Sequence, residues 1–226
     1  MYVSLVNGNP WDADGKGGVA IVNKEGKIIN DHLITGLNAP KGLGKWNNKL
    51  YVADITEVVV IDIAAKKIES RIAVPGAQNL NDISIDSKGI VYVSDSKGNQ
   101  IYRIQNGKAE VYISNLPSVN GVKAIGNDLY MVTAKDIYKA GPDKKLVKIG
   151  ELEHGGDGIE PVGNGDFIVT SWSGYMYYLY KDGKKDLLLD THEQHKNTAD
   201  IGYDAAKRII YVPTFFGKSV VAYQLN

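Results

Sequence analysis

The 226-residue chain is 43% hydrophobic and balances 26 Lys plus Arg against 26 Asp plus Glu, a formal net charge of zero. No basic stripe marks a nucleic-acid surface, no apolar run approaches a membrane span, and no basic-then-apolar leader opens the chain as given. Zero cysteines exclude disulfides, thiol catalysis and cysteine metal ligands, and leave the compartment open.

Alternation with a period of two, broken by turn residues every several positions, predicts antiparallel strands throughout. Met1–Val3, Gly18–Val22 and Ile28–Ile34 read as the second, third and fourth strands of a blade that has no first strand. Between the first two of these lies an enlarged turn, Asn7–Gly17, with Asp12 and Asp14. It looks like the start of a calcium loop, but the twelfth position from Asp12 is Asn23 rather than Glu, so a plain rim loop is expected. A second blade is predicted from Pro40 to Val74, a third from Leu80 to Ser114, a fourth from Val119 to Leu152 and a fifth from Gly156 to Asp190. A sixth starts near Thr198 and stops after its third strand, Ser219–Leu225.

The third blade is the clearest copy. Asn81 and Asp82 open it, the Asp86–Gly89 turn precedes a strand from Ile90 to Val93, and a second Gly turn leads to Ile101–Ile104. The Asn106-Gly107 pair then signals a hairpin to Glu110–Ile113. Aligned on the second strand, Leu50–Val52, Val91–Val93, Leu129–Met131, Phe167–Val169 and Ile210–Val212 recur at steps of 41, 38, 38 and 43 residues. Four strands repeating at roughly 40 residues are the sign of a β-propeller, whose blades cannot bury their faces alone. The prediction is one all-β, six-bladed β-propeller domain over residues 1–226, its first blade lacking the inner strand and its last the outer. Because propellers close by completing one terminal blade with the other terminus, an N-terminal piece of about one or two strands is expected to be missing.

Each inner strand of such a fold begins at the mouth of a central channel. Alignment puts Lys41, Asn81, Asn120, Asp157 and Ala199 at those starts, with Asp200 next door. Converging amide and carboxylate oxygens suit a hard divalent cation. The plain alternative is that Asn-Gly and Asp-Gly merely open strands as turn residues. Glycine follows Asn120 and Asp157, whereas Asn81 is followed by Asp82.

Pro40-Lys-Gly-Leu-Gly-Lys-Trp46 with Lys49–Asp54, then Leu80–Asp95, Val119-Asn-Gly-Val122 and Gly155-Gly-Asp-Gly-Ile159, resemble the senescence-marker-protein/gluconolactonase/luciferin-regenerating-enzyme family from about Lys41 to Tyr223. The resemblance implies a six-bladed propeller with one divalent metal, calcium first and Zn, Mn or Mg as alternatives, that hydrolyses a sugar lactone or related ester. It implies that Asn120 and Asp157 are metal ligands and that Asn81 lines the substrate pocket. Two positions depart from the family pattern: its third ligand is a Glu on the first blade's inner strand, which the chain as given does not include, and Asn79 stands where a pocket arginine is common.

On this reading a metal polarises the ester carbonyl and Asp157 acts as general base toward water. Asn79 and Asn81 donate to substrate hydroxyls, Trp172 walls the pocket, and Asp200 and His195 are further candidates for substrate contact. The loops Asp54–Glu57, Asp95–Asn99, Ser171–Gly174 and Thr214–Lys218 are expected around the site. Thr191-His-Glu-Gln-His195 is not the zinc-protease motif, because Lys196 stands where the second His belongs; His32 and His154 are expected to be structural. Gly217-Lys218-Ser219 lacks the leading glycine of a phosphate loop, and no serine sits in a G-x-S-x-G elbow. A non-catalytic propeller that binds a small ligand or protein at its rim is the alternative function.

Overall fold

The computed structural model describes residues 1–226 and is a six-bladed β-propeller of six antiparallel sheets. Two compact units divide it, residues 1–118 and 119–226. The first unit holds three sheets. They are β1 (Tyr2–Leu5), β2 (Gly17–Val22) and β3 (Ile28–Leu37); β4 (Pro40–Trp46), β5 (Lys49–Asp54), β6 (Glu57–Asp62) and β7 (Lys67–Ala73); and β8 (Leu80–Ile85), β9 (Val91–Asp95), β10 (Gln100–Gln105) and β11 (Lys108–Ser114). The second unit holds β12 (Val122–Ile125), β13 (Asp128–Val132), β14 (Asp136–Ala140) and β15 (Leu146–Glu151); β16 (Gly156–Gly163), β17 (Asp166–Ser171), β18 (Tyr175–Leu179) and β19 (Lys185–Asp190); and β20 (Gly202–Asp204), β21 (Ile209–Pro213) and β22 (Val220–Gln224). The first and sixth sheets have three strands, as the spacing predicts. No helix is long and apolar enough to cross a membrane.

Strand chemistry follows position in the blade. In β6 the run Val58-Val-Val-Ile61 is buried throughout, because a middle strand is covered on both faces. Outer strands such as β7 (Lys67-Ile-Glu-Ser-Arg-Ile-Ala73) stay largely exposed and keep Ile68 and Ile72 half-buried. Asn106 and Gly107 both take positive φ, 51° and 72°, and close β10 onto β11 as a two-residue turn with Gln105 opposite Lys108. That twist matches the strands, which is why Asn-Gly serves there. Where two blades of one unit meet, apolar faces interlock: Ala53 and Val58 pack with Leu80, Ile83, Val93 and Tyr102 in the first unit. Val132 and Ile137 pack with Ile159, Val169 and Leu179 in the second.

A buried polar residue ends the second strand in three blades (Asp54, Asp95 and Ser171) and directly follows it in two more (Thr133 and Thr214). Two of them clamp the chain arriving from the preceding blade. The Asp54 carboxylate accepts the backbone N–H groups of Asn38 (2.9 Å) and Ala39 (2.7 Å). Asp95 accepts those of Gln78 (2.9 Å), Asn79 (2.9 Å) and Gly98 (2.8 Å). In the fourth blade Thr133 instead closes its own turn, with Oγ1 accepting from Asp136 N–H at 3.0 Å.

Removing a buried carboxylate would strand its donors, each at a cost of about 1–3 kcal/mol. Asp95→Ala should therefore lose roughly 3 kcal/mol in urea denaturation, and Thr133→Ala clearly less. Equal losses in the two variants would refute the clamp.

Candidate functional site

The pleat regularity of the inner strands breaks where the candidate residues sit. Pairing of β4 with β5 shifts between Pro40 and Leu43, of β8 with β9 between Leu80 and Ile83, and of β16 with β17 between Gly156 and Ile159. Each shift is a bulge that holds Lys41-Gly42, Asn81-Asp82 or Asp157-Gly158 out of the ladder and re-aims their side chains. Freed backbone donors find hydroxyls on the facing strand. Asp82 N–H donates to Ser94 Oγ, and Gly158 N–H to Thr170 Oγ1, both at 2.9 Å.

Neighbouring inner strands also mesh without a side chain between them. A Cβ on Gly42 would lie 2.6 Å from the Asp82 Cα, and one on Gly158 would lie 2.7 Å from Asp200 Oδ1. A Cβ on Gly121 would collide with the carbonyl oxygen of Asp157. Within the second unit the chain is thus closely approached at Gly121 by the Asp157 carbonyl and at Gly158 by Asp200. Asp157 is buried, and Asp200 Oδ1 accepts from Ile201 N–H at 2.9 Å. Asn120 is fixed by its backbone, which donates to the Val132 carbonyl at 2.9 Å; its Oδ1 is buried with no hydrogen-bond partner. A buried, orphaned amide oxygen suits a hard cation, and a set of amide and carboxylate oxygens favours Ca²⁺, Mg²⁺ or Mn²⁺ over Zn²⁺. No group of three His, Asp or Glu side chains is gathered for a metal ion.

Asn79 and Asn81 belong to the first unit. Asn79 N–H is held by Asp95, and Asn81 Nδ2 donates to Ser96 Oγ at 3.2 Å. Lys41, at the equivalent place one blade earlier, turns into the Asn7–Gly17 loop. Its Nζ donates to the carbonyls of Pro10 (2.5 Å) and Ala39 (2.9 Å) and lies 4.5 Å over the Trp11 ring. Asp14 in that loop pairs with Lys16 at 3.1 Å.

Trp172 and His195 line a separate feature, a cleft of about 580 Å³ in the second unit that includes neither Asn120 nor Asp157. His154, Ser173, Tyr175, His192, Asn197 and Phe216 complete it. Tyr175 is sandwiched between His154, at 3.8 Å between ring centres, and His192, at 5.2 Å. Burial, with Asp190 and Glu193 nearby, raises the Tyr175 phenol pKa, so it stays protonated. His192 Nδ1 is 2.8 Å from Asp190 Oδ1, and this contact lowers the Asp190 carboxyl. Trp172 meets Phe215 and Phe216 edge to face at 5.9 and 5.8 Å. The walls are tied together by Thr191 N–H to the Gly174 carbonyl (2.8 Å) and Asn197 Nδ2 to the Trp172 carbonyl (2.9 Å). His154, expected to be structural, is a wall of this cleft; His32 is exposed and sits 2.7 Å from Asp31.

No protein-family model matches the chain, and no curated protein sequence matches it. Solved structures do. The chain is similar to a structure from the nidogen/laminin complex, at 13% identity and TM-score 0.78 over 100% of this chain and 90% of that one. It is similar to virginiamycin B lyase from Staphylococcus aureus, a catalytically inactive histidine-to-alanine variant with quinupristin, at 16% identity and TM-score 0.70 over 95% and 75%. A streptogramin B lyase aligns at 12% identity and TM-score 0.69 over 100% and 98%. At these identities the likeness establishes the propeller fold alone.

Burial lowers Lys41 from the ordinary 10.5 to about 8, with the Asp54 carboxylate partly opposing it. Because the folded state holds this proton more weakly than the unfolded chain, protonation opposes folding. The cost is full below about pH 8 and fades as pH rises toward 10.5. Urea stability should rise across that window, and Lys41→Met should remove that component. Parallel pH profiles for the two proteins would exclude Lys41 as its source.

Proposed function

We propose that the chain is a divalent-metal-dependent hydrolase of the gluconolactonase type, acting on a sugar lactone or related ester. The observation that supports this best is the buried, partnerless Oδ1 of Asn120 at a strand start that abuts Asp157. Asn120 Oδ1 and the Asp157 carboxylate would hold the cation, which when bound supplies Lewis-acid polarisation of the ester carbonyl. Asp157 takes a proton from water as the water oxygen attacks the carbonyl carbon. The ring C–O bond then breaks, and the same proton returns to the departing alkoxide to leave a hydroxy acid. Asp200, oriented by the Ile201 N–H, contacts a substrate hydroxyl. Low exposure of Asp157 strengthens its electrostatic influence on that proton transfer.

Gluconolactone hydrolysis should stop with excess chelator and return on adding CaCl2. Asp157→Ala should lower the rate by about 10²–10⁴-fold, the usual contribution of a general base. Calorimetric titration with CaCl2 should give a binding isotherm that weakens at least tenfold in Asn120→Leu, of the order seen on perturbing metal sites. Hydrolysis that is indifferent to chelator, or calcium binding that survives both substitutions, would overturn the assignment.

A further inference from the structure

We infer that the aromatic cleft of the second unit binds a neutral saccharide of one or two rings. The inference does not rest on the hydrolase reading, because the cleft shares no residue with the Asn120–Asp157 pair and needs no metal. Its volume of about 580 Å³ lies in the range of small-molecule sites.

Charge is the first discriminator. No lysine, arginine, aspartate or glutamate lines the cleft, and of the two carboxylates near Tyr175, Asp190 is engaged by His192 Nδ1. A charged ligand would give up hydration against a lining that holds no lysine, arginine or carboxylate. Hydrogen bonding is the second. Asn197 Nδ2 donates to the Trp172 carbonyl, which can only accept, so the amide orientation is fixed and Oδ1 is the other atom. That Oδ1 is buried and has no partner. The cleft's His192, His195 and Ser173 are the polar groups that a ligand rich in alcohol O–H can pair with. Apolar surface is the third. Trp172 and Phe216 are 43% and 64% exposed in a fold that buries most of its large side chains, and they offer rings for the C–H face of a pyranose.

A planar heteroaromatic ligand would use the rings but leave most of the polar wall idle. His195, His192, Ser173 and Asn197 between them donate and accept, and the hydroxyls of a sugar do both. The wall that carries them is held by backbone bonds across Gly174 and Thr191, so little ordering is needed on binding.

Cellobiose, maltose and lactose should be titrated separately into the intact chain by calorimetry, with adenosine in parallel, each with and without EDTA. At least one disaccharide should bind saturably, with an affinity that EDTA leaves unchanged. Trp172→Ala should weaken it by about tenfold, the loss expected for one aromatic platform. Phe216→Ala, at a more exposed position, gives an independent reading if the first variant fails to fold, and should also weaken binding. Failure of all three disaccharides to bind, tighter binding of adenosine, or affinity unaltered by both substitutions would each overturn the inference. Loss of binding in EDTA would also overturn it, since the sugar would then be seated at a metal instead of in the cleft.

Discussion

A propeller blade must let its inner strand leave the ladder without leaving backbone groups unsatisfied, and buried polar side chains at the end of the second strand meet that constraint. Three inner strands bulge at their first residues, which frees N–H groups in places water barely reaches. Ser94 and Thr170 satisfy the bulges themselves, while Asp54 and Asp95 hold the segments that lead into them. Each such group left unpaired would cost about 1–3 kcal/mol, comparable to a sizeable share of a domain's net stability. The polar residues at the strand starts are therefore held by obligatory bonds of the fold, and a site built from them is pre-organised before any ligand arrives.

Glycine and aspartate share the work at these starts. Where one blade has glycine after the strand-start residue, its neighbour can press a backbone or carboxylate into the space, as Asp82 does at Gly42 and Asp200 does at Gly158. Gly121 has no side chain to keep the Asp157 carbonyl away, so the two strand starts approach closely there. Lys41 occupies the same register position with the opposite chemistry. Its ammonium is held by the Pro10 carbonyl and Trp11 ring of the Asn7–Gly17 loop and by the Ala39 carbonyl, so the position that carries Asn81, Asn120 or Asp157 in the next three blades carries a structural cation here.

Much of this was legible in the sequence because it repeats. Alternation and the spacing of Tyr51, Tyr92, Tyr130, Ile168 and Tyr211 place the second strands, and the predicted third blade from Leu80 to Ser114 coincides with β8 through β11. The three-stranded first and last sheets follow from the same alignment. Bulges were not legible, since a one-residue shift changes pairing without changing composition. The cleft was legible in part: Trp172, His195 and the loops Ser171–Gly174 and Thr214–Lys218 were expected around one pocket, and they line a cleft that includes neither Asn120 nor Asp157. Most of its other walls, such as His154, His192 and Asn197, come from connections that differ between copies, so an alignment of repeats discards them.

The two candidate sites of the second unit meet at one strand end. Thr170 accepts from the bulged Gly158 N–H and lies 3.0 Å from the Ala199 carbonyl, so it braces the backbone on which Asp157 and Asp200 stand. The next residue, Ser171, ends the strand, with its carbonyl 2.6 Å from Thr198 Oγ1. One residue further, Trp172 faces the cleft and its carbonyl holds Asn197. Because β17 ends at Ser171, Trp172 is free of the strand's alternation, which would have put it on the same side as Thr170, and it can face another surface. Thr170 and Ser171 are buried, and hydrogen bonds tie them to Gly158, Ala199 and Thr198. The bonds that the Asp157 bulge demands of β17 therefore also brace the chain at the point where it enters the cleft wall at Trp172, on a connection that no repeat dictates.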